Sequence, residues 1–228
     1  MRSLTCVVTQ SATFGAFAQA IPDRLPASAA GGIAIVNVKT FDRDGKPVMA
    51  SIGPVSGGGG GTPTEDGAEG LGGAAGFLRN TPVEVNELEV PIRFLRYGLW
   101  GDTAGAGRFR GGLAIVMEFE VSSPSTRITA RNRDRTVFAP WGAAGGQAGA
   151  TATIIKNPGT PQEFNLGTLD VIECGPGDVI RAIGSGAGGY GDPFTRDTEL
   201  VLRDVQQGFV SSERAESDYG VVVANGEI

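Results

Sequence analysis

The residues able to do chemistry in this chain are mostly arginines and carboxylates. Arg93 and Arg96 share one stretch, Arg108 and Arg110 sit in Gly105-Ala106-Gly107-Arg108-Phe109-Arg110-Gly111-Gly112, and Arg127, Arg131, Arg133 and Arg135 follow. A guanidinium grips carboxylate or phosphate with a two-pronged fork, so converging arginines suit an anionic substrate or a phosphorylated intermediate. The glycines around Arg108 and Arg110 let a ligand approach the backbone closely, which makes these two candidates for substrate binding. The ordinary alternative is arginine on alternate strand positions, facing water or paired with Glu84, Glu87 and Asp134. Glu84, Glu87 and Glu89 lie near Asn80-Thr81-Pro82, and two of them on one face would serve as general acid and base or hold a hard cation. The local reading of that stretch is a short helical turn opened by Pro82 and capped by Thr81.

Histidine is absent from the sequence. That excludes a Ser–His or Cys–His nucleophile pair, an imidazole base poised near neutral pH, and a His-ligated zinc or iron. Cys6 and Cys174 are far apart with no Cys-x-x-Cys spacing, so both read as reduced and buried, in a cytoplasmic protein. Gly184-Ser185-Gly186-Ala187-Gly188-Gly189 satisfies G-x-G-x-x-G, but Pro193 interrupts the helix that should follow and no parallel strand completes a βαβ unit. It reads instead as a glycine-rich β-to-α turn in which Asp192 forms an Asx turn. The five glycines 57–61 lack the Lys and Ser/Thr that a phosphate loop requires, leaving a flexible lid or a loop packed by another chain.

Positioning these groups requires a folded domain, and the composition provides for one. The 37 Gly and 13 Pro among 228 residues stay just under the roughly 25–30% at which disorder becomes the default, with 40% hydrophobic and 19% charged residues. A net charge of −6 with no window dense in Lys or Arg excludes nucleic acid as a main partner. Thr9, Gln10 and Ser11 break the apolar run Leu4 to Val8 too early for a secretory signal, and no stretch reaches membrane-span length.

Apolar spacing predicts a helix from Ala12 to Ile21, stopped by Pro22, then a hairpin of Ile33 to Phe41 and Pro47 to Ile52 around Asp44-Gly45. A long glycine-rich loop covers Gly53 to Gly76. Strands are expected at Val90 to Trp100, Leu113 to Val121, Thr126 to Arg133, Thr151 to Ile155 and Val179 to Ile183. Two helices follow, one carrying Leu200, Val201 and Val205 and one at Ser212 to Tyr219, with Val221 to Val223 closing the domain as a strand. The fold class is α+β, predominantly β, with a sandwich- or barrel-like sheet. Residues 1–76 form an amino-terminal part and 77–228 a β-rich carboxy-terminal part.

Several of these segments occur in a familiar order: Asn80-Thr81-Pro82-Val83-Glu84; Arg93-Phe94-Leu95-Arg96-Tyr97; Gly105 to Gly112; Arg131-Asn132-Arg133-Asp134-Arg135; Pro140-Trp141-Gly142 with Gly145-Gly146; Gly177-Asp178; Gly188-Gly189-Tyr190-Gly191-Asp192-Pro193; and Asp218-Tyr219-Gly220-Val221. Together with Ala18-Gln19-Ala20-Ile21-Pro22-Asp23-Arg24 and the glycine loop, they resemble the carboxy-terminal part of a B-type subunit in the hydantoinase B/oxoprolinase family. The resemblance implies a two-component, ATP-dependent enzyme such as N-methylhydantoinase, 5-oxoprolinase or the acetone and acetophenone carboxylases. In that family an A-type ATP-binding subunit phosphorylates a carbonyl oxygen and the B-type subunit completes hydrolysis or carboxylation. Family members also carry a divalent metal held by His and Asp in an amino-terminal half, which this chain lacks. The expectation is therefore a non-autonomous subunit or fragment of a cyclic-amide hydrolase, holding no cofactor by itself. ATP sits on an A-type partner, and another chain supplies the missing B-type half with its metal. Glu84, Arg108 and Arg110 contribute to the substrate pocket, with no catalytic residue or metal ligand assigned. A fragment of a related ketone carboxylase, or a purely structural docking module, are the alternatives.

Overall fold

The computed structural model describes residues 2–32, 34–70, 80–131 and 134–224. Within them the chain forms α1 (Arg2–Ala18), β1 (Ala34–Phe41), β2 (Pro47–Val55), α2 (Val83–Glu89), β3 (Ile92–Trp100), β4 (Ala114–Val121) and β5 (Thr126–Arg131). After these come β6 (Thr153–Lys156), β7 (Phe164–Asn165), β8 (Val171–Cys174), β9 (Val179–Ile183), α3 (Thr198–Gln206) and α4 (Ser212–Tyr219). The part boundary at 76/77, Arg133, and the last residues of the glycine loop lie outside the described residues.

Two antiparallel sheets, ordered β2-β1-β5-β8 and β3-β4-β9-β6-β7, face each other as a sandwich, not a closed barrel. Period-two alternation sends Val36 and Val38 of β1 and Ile180 and Ala182 of β9 into the shared core, where they meet Ile52, Phe119 and Ile128. β4 lies between β3 and β9, and its first four residues, Ala114 to Met117, are all buried. The hairpin pairs Phe41 with Pro47 and Val36 with Ile52, as the Asp44-Gly45 turn requires. Two short edge strands escaped the sequence pattern. β7 has two exposed residues and β8 only four, too few for alternation to register.

The remaining half of the fold is built from glycine-rich backbone outside the sheets. Segments 27–30, 57–61, 103–112, 140–150 and 184–191 pack side by side, joined by hydrogen bonds between segments. Along the last of them the N–H donors turn through their neighbours with a three-residue repeat. Gly186 and Gly189 donate to Ala150 and Gln147, Ala187 and Tyr190 to Gly112 and Phe109, and Gly188 to Ser28. That period is the one of a polyproline-II-type helix, whose backbone groups point outward and must find partners laterally. Approach this close admits no side chain: a Cβ on Gly186 would overlap the Thr103 carbonyl, and one on Gly57 the Ser185 carbonyl. The run 57–61 is therefore packed within its own chain, neither a lid nor a loop awaiting another protein. The G-x-G-x-x-G stretch is a buried member of the bundle, with the N–H groups of Gly184, Gly186, Ala187, Gly188 and Gly189 already committed.

Smaller corrections follow from local packing. α1 begins at Arg2, well before Ala12, because the segment containing Thr9, Gln10 and Ser11 stays helical with one face toward the bundle. Cys6 is exposed on it, while Cys174 is buried as expected, its thiol pushed up to about 11 mainly by burial. Pro82 occupies the N-cap of α2 and no side chain caps it, so Thr81 has no capping role. Residues 221–223 form no strand; Val221 packs with Ala106, Val201, Val210, Ala215 and Tyr219 in a second core under α3 and α4. Those helices start at Asp197, which accepts from Glu199 N, and Ser211, which accepts from Arg214 N; Asp192 caps the 3-10 turn Pro193–Thr195 in the expected way.

Candidate functional site

Two features stand out in the glycine-rich half: a buried ionic cluster and a cleft beside it. The cluster draws on segments far apart in sequence. Arg196 grips Asp66 with both prongs of its fork, at 2.6 and 2.8 Å, and reaches Asp204 at 2.7 Å. Arg110 pairs with Glu69 at 2.8 Å and with Asp204 at 3.3 Å, and its amide donates to Asp66 at 2.7 Å. The side chains of Arg110, Arg196 and Asp204 are 4%, 0% and 2% exposed, so these charges exist only because they are mutually paired. Burial works against both arginines, yet the carboxylates beside them outweigh it and hold them more firmly protonated. Burial likewise pushes the Asp66 carboxyl up, and the Arg196 fork overrides it and holds Asp66 below the usual carboxylate range. Phe209 and Tyr219 lie against the two guanidiniums at 5.3 and 6.0 Å.

The sequence-derived candidates separate in space. Arg110 is a buried member of the cluster, Arg108 is exposed and joins it only through its carbonyl, which accepts from Arg196 at 3.2 Å, and Glu84 is exposed in the first turn of α2. Arg93 pairs across the sheet with Glu120, Arg127 with Glu173, and Arg181 with Glu118, while Glu87 accepts from the Phe94 amide. Asp66, Glu69, Arg196 and Asp204 were missed. The legible signal was Asp204, an acid three residues from Val201 on the inward face of α3.

The cleft, about 420 Å³, opens between α1 and the glycine bundle. Val7, Phe14 and Ala18 of α1 line it together with Pro26 to Ala29, Trp141, Gly59, Gly60, Thr62 and Glu65 to Ala68. Its volume is that of a small-molecule site. Glu65 and Asp66 are among its lining residues, and behind two others Arg135 donates to the Ser28 hydroxyl at 3.0 Å and lies 4.9 Å from the centre of the Trp141 ring.

The hydantoinase B/oxoprolinase profile matches residues 1–193. The chain belongs to this family. It is 30% identical over 214 residues to a Pseudomonas sp. (strain NS671) protein named as the B component of a D-/L-hydantoinase, and 30% identical over 228 residues to the caprolactamase beta chain of Pseudomonas jessenii. Each alignment covers 93% of this chain but only 35% and 38% of the relative, so the chain spans little more than a third of their length. Its fold matches the crystal structure of the ATP-dependent caprolactamase of P. jessenii with a TM-score of 0.80 at 27% identity, over 93% of this chain and 38% of that one. The nucleotide-free structure of an acetone carboxylase matches with a TM-score of 0.71 at 18% identity, over 87% and 32%, a likeness of fold. The chain is thus a hydantoinase B/oxoprolinase family member whose fold is also found in an acetone carboxylase. The His-containing metal centre that the resemblance implies does not fit the residues of this chain, which has no histidine and, among the described residues, no group of three or more His, Cys, Asp or Glu able to hold a metal ion.

Proposed function

We propose that the chain acts as part of the B-type component of an ATP-dependent cyclic-amide hydrolase, in the cytoplasm, together with an A-type ATP-binding subunit. The remaining two-thirds of a B-type subunit supplies the metal. The observation that carries this reading is the 30% identity with a caprolactamase chain along 93% of this one, glycine bundle included. Phosphorylating the amide oxygen with ATP releases ADP and activates the carbonyl carbon; one water adds there and the C–N bond breaks, freeing the amine and leaving an acyl phosphate, which a second water hydrolyses to carboxylate and phosphate. No helix among the described residues is long and apolar enough to cross a membrane. Within the proposal Arg108, exposed beside the bundle, meets the anionic intermediate, whereas Arg110 and its partners hold the wall behind it.

Co-expression with an A-type subunit and a full-length B-type remainder tests the reading. Amide-dependent ADP release from the copurified assembly is expected, with Arg108→Ala raising KM while the thermal midpoint stays put. Turnover by the solitary chain with ATP, or a stable monomer that ignores both companions, overturns it.

A further inference from the structure

Charge is missing from two stretches of this chain that the fold brings together. Residues 3–22 and 136–155 contain no Asp, Glu, Lys or Arg, in a sequence where 19% of residues are charged. The first stretch supplies all of α1 after Arg2, and the second carries Trp141. They meet at Gly15, where an added Cβ would stand 3.3 Å from the Trp141 ring. A helix with one face on the core and the other in water normally carries charged residues on its water side. α1 buries Val7 and leaves Val8, Phe14 and Phe17 exposed, Phe17 to 56%, with no charged residue in the helix after Arg2. In the second stretch Val137, Phe138 and Trp141 are 68%, 80% and 39% exposed. Large apolar side chains presented together from charge-free segments mark a face made to be covered, and aromatic enrichment with charge depletion is the composition of an interface core.

What covers this face follows from how the chain compares with its relatives. Both stretches fall inside the family match, which begins at residue 1. The caprolactamase structure reproduces the fold over 93% of this chain, and that shared part is only 38% of its own polypeptide. A face shut permanently against the rest of a long polypeptide has no need of charge, and a charge buried there would cost stability. A lipid surface would instead call for Lys or Arg along the polar side of α1. We propose that the exposed face of α1 and segment 137–141 form the seat of the remaining B-type part, which meets them with an uncharged, apolar surface of its own. This deepens the proposed function and rests on it, naming where on this chain that companion binds.

Biolayer interferometry between the full chain and the separately expressed remaining B-type part, without ATP or an A-type subunit, tests the inference. Phe17→Asp and, independently, Phe138→Asp each place a charge at a position already open to water, so both are expected to keep the wild-type thermal midpoint while weakening the association about ten-fold or more. Met49→Asp, at a residue 69% exposed on β2, is the control and keeps wild-type affinity. Hydrogen exchange on the unaltered pair needs no variant: amides of residues 5–18 and 136–142 are expected to slow on association. Full affinity in both aspartate variants, or slowing confined to other segments, overturns the seat and leaves the subunit role standing. A wild-type chain that sediments as a dimer dispersed by Phe17→Asp reassigns the face to a second copy and overturns the seat, as does Phe17-dependent binding to vesicles of phosphatidylcholine and phosphatidylserine. A wild-type chain that does not associate with the remaining part at all removes the subunit reading itself, and the seat with it.

Discussion

Asp204 shows most directly how this protein handles charge. Its carboxylate faces two guanidiniums with 2% of its side chain exposed, so removing it strands Arg110 and Arg196 in a dry environment with one counter-charge fewer. Stranding a buried charge costs about 3–5 kcal/mol. Asp204→Ala is therefore expected to lower the thermal midpoint by roughly 10 °C in calorimetry, with Asp204→Asn between it and wild type. Tyr219 gives a second residue-scale test, at the alkaline limit. Burial pushes its hydroxyl up to about 12 from an ordinary 10. The neutral form is favoured in the folded state, so the contribution is fully present below about 10 and drains away as pH rises toward 12, because the unfolded chain ionises first. Tyr219→Phe should move the alkaline unfolding midpoint upward; since burial pushes Tyr97 to about 12 as well, a residual alkaline transition is expected to remain. An unshifted midpoint by circular dichroism would show that Tyr219 does not set the limit.

At the level of elements, strands and helices divide sharply in how they could be anticipated. The hairpin, β4, β9 and α4 carry strong local patterns, and the bounds expected for β9 and α4 match the structure. The glycine bundle carries no such pattern: its periodicity lies in which neighbour each N–H meets, and that depends on four other segments. Low side-chain content made 57–61 look like a loop, although the glycines are there to let carbonyls of other segments approach. For the same reason the site was only half legible. Arg110 drew notice for its glycines, but Asp66, Glu69 and Arg196 acquire their role only once the bundle brings them together. The bundle predicts an asymmetry among glycines. Gly186→Ala forces a methyl into the Thr103 carbonyl, and Gly188→Ala does so at Trp141, so both should abolish soluble expression or cost more than the about 1–3 kcal/mol typical of overpacking. Gly98 in β3 has nothing within 4 Å of its added Cβ and no positive φ, so Gly98→Ala should hold or raise stability by up to about 1 kcal/mol.

For the molecule as a whole, the question is what the residues beyond the family match contribute. The match ends at 193, yet Arg196 and Asp204 lie past it, as do Val201, Val210, Ala215, Tyr219 and Val221 of the second core. A chain stopped at residue 193 keeps every strand of the sandwich, whose core is drawn from both sheets and needs nothing from α3 or α4. It nonetheless leaves Arg110 with Glu69 as its remaining salt-bridge partner and Asp66 without its fork, and uncovers Ala106 in the middle of the glycine bundle. The sandwich and the bundle then respond differently. Residues 1–193 should retain protected amides in β1, β4 and β9 while amides of segments 103–112 and 184–191 exchange rapidly, an outcome hydrogen-exchange mass spectrometry resolves peptide by peptide. Uniform protection equal to that of the full chain would mean that the bundle is held by its backbone ladder alone and that the ionic cluster has some other purpose. Uniform loss would mean that sandwich and bundle form one cooperative unit, in which case Asp204→Ala should destabilise β4 as much as it does Gly188.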